Sequence, residues 1–174
     1  MNLKMSVLSV LLFCVMSVAG LQQPSLLHSL IEKANAESIS VDYEFATTIS
    51  GFKTVGEGVI QIQGNSYHMV GNGMEIYCDG ASTWVIDEAA MEVMIESAAS
   101  ADAGFLANPV MLLMNIEENA LSYKAEGDKI FIQLDPETML EITIRSITSE
   151  AIKKPEAFRP PVEFGSDWIV TDMR

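Results

Sequence analysis

The segment ISVDYEFATTI, residues 39–49, limits the possible folds more than any other part of the chain. Ile39, Val41, Tyr43, Phe45, Thr47 and Ile49 alternate with Ser40, Asp42, Glu44, Ala46 and Thr48. A period of two sends successive side chains to opposite faces, so the stretch predicts a strand with one wet face and one covered face. The pattern continues as a meander. TVGEGVIQIQ (54–63) turns at Gly64-Asn65 into SYHMV, and Gly71-Asn72-Gly73 leads into MEIYC. Asp79-Gly80 is a hairpin signal before STWVID, and MEVMIES follows. ALSYKA, then KIFIQL after Gly127-Asp128, then LEITIRSI extend the series, and DWIVTDM supplies a last strand. The intervening KKPEAFRPPVEF is too rich in proline for a sheet interior. The expectation is one long antiparallel sheet whose helices cover a single face. A sheet of that many strands curls, and its concave side is a natural place for something apolar.

Two stretches read as helix. SLLHSLIEKANA (25–36) spaces Leu26, Leu27, Leu30, Ile31 and Ala34 along one side, with Ser25 as a cap. Residues 101–116 interrupt the strands with helical character: Asn108 suits a cap, Pro109 the first helical position, and Asn115 the end. From Pro109 to Met114 this helix has no charge and no polar side chain, more apolar surface than one sheet face can cover.

The start of the chain has a different purpose. Lys4, the apolar run Val7–Val18 and the small residues Val18, Ala19 and Gly20 form a secretory signal peptide, residues 1–20. The run is too short for a comfortable membrane span. Acylation at Cys14 is disfavoured because Leu12-Phe13 precede it where small residues should stand. Cleavage leaves 174 − 20 = 154 residues, one domain spanning 21–174. Cys78 is then the only cysteine, which rules out an intramolecular disulfide and favours a small buried hydrophobe. Loss of Lys4 takes the charge to 9 − 24 = −15. Such a chain is repelled by nucleic acid and by anionic lipid, so its partners should be neutral, apolar or basic.

Few residues suggest catalysis. His28 and His68 lie far apart, neither in metal-binding spacing with Cys78 or a carboxylate. There is no phosphate loop, nucleophile elbow or Ser–His–Asp grouping. Glu92 and Glu96 share one strand face, but a solvated acidic face explains them better than a carboxylate pair. Neither an enzyme nor a cofactor is expected. Flexible apolar surface is the unusual resource. Eight methionines remain after the signal, and six of them fall between Met69 and Met114. Methionine adapts its shape and suits surfaces that accept variable apolar ligands. The candidate ligand-binding residues are Phe45, Met69, Met74, Ile76, Trp84, Met91 and Met94 of the strands. From the apolar helix they are Phe105, Leu106, Val110, Met111, Leu112, Leu113 and Met114.

These residues also carry a resemblance. EGVIQIQGNSYHM followed by MEIYCDGASTWVIDEAAMEVMIE resembles the strand–hairpin centre of the LolA-type periplasmic lipoprotein carriers. Tyr77, Asp79, Gly80 and Trp84 stand where that family has a strand ending in Asp-Gly and then a Trp-bearing strand. NPVMLLM is similar to the family's Pro-x-x-Leu-Leu helix, and FRPPVEFGSDWIVTDMR to its ending. The resemblance implies an α+β fold: a single strongly curved antiparallel β-sheet, an incomplete barrel, covered on its concave face by short helices. It implies a monomeric periplasmic carrier that holds the acyl chains of lipoproteins in an apolar cavity for transfer to the outer membrane. An inner-membrane release complex and an outer-membrane receptor would be its partners. Two features depart from the family: Gln63-Gly64-Asn65-Ser66 lacks the arginine that latches the lid, and the chain is short between Ile147 and Phe158. The alternatives are a lipid or lipoprotein sensor, a carrier of other amphiphiles, and a protein-interaction module with no cavity.

Overall fold

The computed structural model describes residues 26–98, 116, 120–161 and 163–174. Helix α1 (Leu26–Ala36) leads into β1 (Ser38–Ile49), β2 (Phe52–Gln63), β3 (Ser66–Gly71), β4 (Met74–Cys78), β5 (Ser82–Asp87) and β6 (Glu92–Ser97). Then come β7 (Ser122–Glu126), β8 (Lys129–Asp135), β9 (Thr138–Glu150), a 3-10 turn (Pro155–Phe158) and β10 (Ile169–Asp172). All ten strands join one open sheet in the order β10-β6-β5-β4-β3-β2-β1-β9-β8-β7.

Local chemistry sets the connections. Asn72 and Gly73 both take positive φ (55° and 76°), as do Ser50 and Gly51 (48° and 84°), the backbone of a two-residue hairpin turn that follows strand twist. The β1–β2 ladder therefore runs unbroken from Ile49↔Phe52 to Ile39↔Ile62. β9 pairs with the other edge of β1, with one irregularity at Asp42/Tyr43 where Arg145 is the extra residue. α1 lies on one face, here called the inner face, against β1, β2 and β7, with Leu30 and Ala34 buried. The amide of Gly64 donates to the Ala34 carbonyl at 2.7 Å and ties the helix end to the β2–β3 turn. The main core consists of this helix face together with Ile39, Val41, Ile60, Ile62, Tyr67, Met69, Ile76, Cys78, Ile130, Ile132 and Leu140.

The structure corrects the expected architecture. Of the described residues 60% are strand and 12% helical, with one α-helix, so the molecule is mostly sheet and not an α+β barrel lidded by short helices. Nor is one face simply wet. Tyr77, Ile86, Val93 and Ile95 point to the outer face and form a second buried cluster, completed by Trp84, Phe164 and Trp168. The runs MEIYC, STWVID and EVMI are nearly continuous in apolar residues, the pattern of strands covered on both sides. The sheet is also not purely antiparallel: β10 pairs parallel with β6. The signal peptide (1–20), the Ser25 cap and the helix expected over 101–116, apart from the helical Ile116, lie outside the described residues.

Candidate functional site

Strand register sorts the inner face into rows that cross the sheet. The middle row runs Ile147–Val41–Ile60–Met69–Ile76–Val85–Met94, each residue paired with the next across adjacent strands. No member is polar. Strands lie about 4.8 Å apart, so the part from Val41 to Met94 is about 24 Å long, comparable to a long fatty acyl chain. Val41, Ile60, Met69 and Ile76 are buried, while Val85 and Met94 at the β5–β6 end are partly open.

Two rows flank it. On one side lie Ile144, Tyr43, Gly58, Gly71 and Met74, ending in Asp87 and Glu92. The glycines here are required by close approach. A Cβ on Gly58 would stand 2.8 Å from the Val70 carbonyl oxygen and 3.0 Å from the Tyr43 hydroxyl, and one on Gly71 would stand 2.6 Å from the Glu57 carbonyl oxygen. The Tyr43 side chain thus covers backbone at Gly58, and burial pushes its phenol up to about 12. On the other side lie Ile39, Ile62, Tyr67, Cys78, Thr83 and Glu96. This row begins apolar and ends polar.

The candidate residues separate accordingly. Met69, Ile76 and Met94 share the middle row, Met74 lies in the row beside it, and Phe45 sits one step further along β1, partly buried against the main core. Trp84 does not join them: it pairs with Tyr77 and Ile95 on the outer face. Met91 is also elsewhere, half-exposed in the β5–β6 turn with φ 53°. Phe105, Leu106, Val110, Met111, Leu112, Leu113 and Met114 lie outside the described residues, whereas Ile116, just beyond them, is buried in the main core. Val41, Ile60 and Val85 join the row only through cross-strand register, which alternation along a single strand does not reveal. Nothing local marks Thr83, and Glu96 stands out in the sequence only as a neighbour of Glu92 on one strand face.

The outer face beyond the C-terminal segment mixes charged side chains with the exposed Val55, Val59 and Val70. A cleft of about 480 Å³ is lined by Glu44, Glu57, Glu141, Lys53, Lys129, Val55 and their neighbours. Lys129 Nζ lies 2.5 Å from Glu141 Oε1. The bulge residue Arg145 donates to Glu57 at 2.9 Å and also to Glu44, with Asp42 at 3.9 Å, so its charge is engaged by the sheet itself. These pairs neutralise one another in a largely solvated setting, and Phe45, Ala46 and Val55 supply apolar lining beside them. The histidines are also separated. His28 pairs with Glu32 on α1, whereas His68 stacks on Tyr77 (4.2 Å between rings) and lies 2.7 Å from the Glu75 carboxylate that Tyr77 also donates to. Among the described residues no cluster of His, Cys, Asp or Glu is placed to hold a metal ion.

The motif residues behind the family resemblance have structural work here. Asp79 accepts the amides of Ala81 and Ser82 at 2.9 Å each and the Arg159 guanidinium at 2.6 Å, while Gly80 takes φ 87°. Burial opposes ionisation of Asp79, but those donors together hold its carboxyl below the usual range. No known family model and no curated protein matches the chain.

Proposed function

We propose that this chain is a periplasmic carrier that binds amphiphiles by their acyl chains, lipoproteins being the cargo suggested by its resemblance to LolA-type carriers. The observation that carries the reading is the middle row of the inner face: an uninterrupted apolar stripe across six strands, closed at one end and partly open at Val85 and Met94. Methionine at two positions of that stripe lets it adapt to chains of different length and branching. Each methylene buried there contributes about 0.8 kcal/mol. Loss of ligand freedom offsets several kcal/mol of that gain. The net binding is moderate, which suits a protein that must release its load.

Displacement of a fluorescent fatty acid tests this. Met94→Asp places a carboxylate on the stripe at a partly open position, where the fold tolerates it and an acyl chain does not. The variant should lose the probe while keeping its thermal unfolding transition. Glu126→Lys, an exposed change on β7, should bind as the parent does. Equal binding by the two variants, or no binding by the parent, removes the proposal.

A further inference from the structure

The polar end of the second flanking row, at Thr83 and Glu96, is not explained by packing. Thr83 is 2% exposed, yet its hydroxyl makes no hydrogen bond. Its cross-strand partner Glu96 has one carboxylate oxygen, Oε2, that is buried and equally without a partner. Cross-strand Cβ atoms lie about 5 Å apart, so two orphan groups sit side by side on the inner face. Buried polar atoms normally find a partner, and a carboxylate oxygen without a donor is costly. The adjacent groups do not fill the vacancy. Burial pushes the phenol of Tyr67 and the thiol of Cys78 upward, and the Cys78 thiol points its weak donor at the Asn65 carbonyl, 3.6 Å away. The Thr83 hydroxyl lies close enough to favour ionisation of both, without hydrogen-bonding geometry to either. One step along the strands from this pair lie Val85 and Met94, the partly open end of the apolar stripe.

We infer that Thr83 and Glu96 form a head-group subsite at the open end of the stripe, selecting amphiphiles whose polar end donates hydrogen bonds, an ammonium above all. The inference rests on the acyl-carrier reading and adds to it which cargo is preferred. The acyl chain lies along Val85 and Met94, and the N–H or O–H groups at its head meet the two orphan acceptors. A head that only accepts, such as an ester, leaves Glu96 Oε2 unpaired and is disfavoured.

Binding of matched twelve-carbon probes decides it: dodecylamine, dodecanol and methyl dodecanoate, measured on the intact chain by displacement of a fluorescent fatty acid. A dodecanoylated tripeptide amide, run beside them, distinguishes an acylated peptide from a free amphiphile as the source of the donor. The parent should bind the amine at least roughly tenfold more tightly than the ester, the step expected when a charge-assisted hydrogen bond is gained. Glu96→Gln should erase most of the amine's advantage and leave dodecanol nearly unchanged, and Thr83→Val should weaken dodecanol. If neither variant folds, the parent's ranking of the probes still decides. Ester binding as tight as amine binding overturns the head-group subsite and leaves the acyl-carrier reading standing. If no probe binds, both fall.

Discussion

The two faces of the sheet hold their apolar residues in different ways. The inner cluster is continuous across β1, β2, β3, β4, β8 and β9, and α1 seats Leu30 and Ala34 directly on it. The outer cluster occupies only β4, β5 and β6, and its cover comes from the far end of the chain through Phe164 and Trp168. Polar fastenings hold that cover. Arg159 reaches Asp79, Ile169 and Met173 donate their amides to the Met91 and Ile95 carbonyls at 2.9 and 2.8 Å, and Arg174 reaches Ser82 at 3.3 Å. One sheet therefore has a core on one side and a strapped patch on the other. The core should fail as a whole, and the strap should come away alone.

The strongest way to break that contrast is Ile76→Ala. Ile76 is fully buried at the centre of the inner face, and removing its branched chain should cost about 2–5 kcal/mol. Urea unfolding should shift as one transition, with hydrogen exchange rising through β1 to β4 together. Trp168→Ala should have a smaller effect, about 1–2 kcal/mol, since that ring is only partly buried. Here faster exchange should be confined to β10 and the β6 edge. Matching exchange patterns in the two variants would mean that the faces are a single cooperative unit.

The smallest change sharpens the comparison through pH. The folded state holds the Asp79 carboxyl below its unfolded value of about 3.9. Its contribution is therefore complete above about pH 4 and is lost as pH falls through the folded value. Asp79→Asn should cost about 1 kcal/mol at neutral pH, and the gap to the parent should close on acidification below pH 4. A gap that stays constant with pH would assign the effect to turn geometry instead of charge.

Much of this fold can be read from the chain, and the reasons for the remainder are physical. Strict alternation from Ile39 to Ile49 and the turns at Gly64, Asn72-Gly73 and Asp79-Gly80 locate the first strands closely. Periodicity does not say whether the second face is covered. Tyr77 and Ile86 of the outer cluster alternate with Ile76 and Val85 of the inner one, so the same runs serve both clusters. Trp84 is among the residues expected at the ligand, and only the register Ile76↔Val85 and Tyr77↔Trp84 turns it away. Pairing of β10 with β6 leaves no local trace at all. Thr83 and Glu96 look like ordinary strand residues until cross-strand pairing brings their unpartnered atoms together.

The parallel pairing of β10 also orders events in time. Ile169 meets Glu92 from roughly eighty positions away, a closure that is slow because the intervening chain must first be organised. Until then β6 presents a bare row of backbone donors and acceptors beside Val93 and Ile95, the kind of edge on which chains aggregate. A newly made chain is exposed to this hazard for as long as β10 is absent. The last strand to arrive thus replaces that edge with a shorter one of four residues.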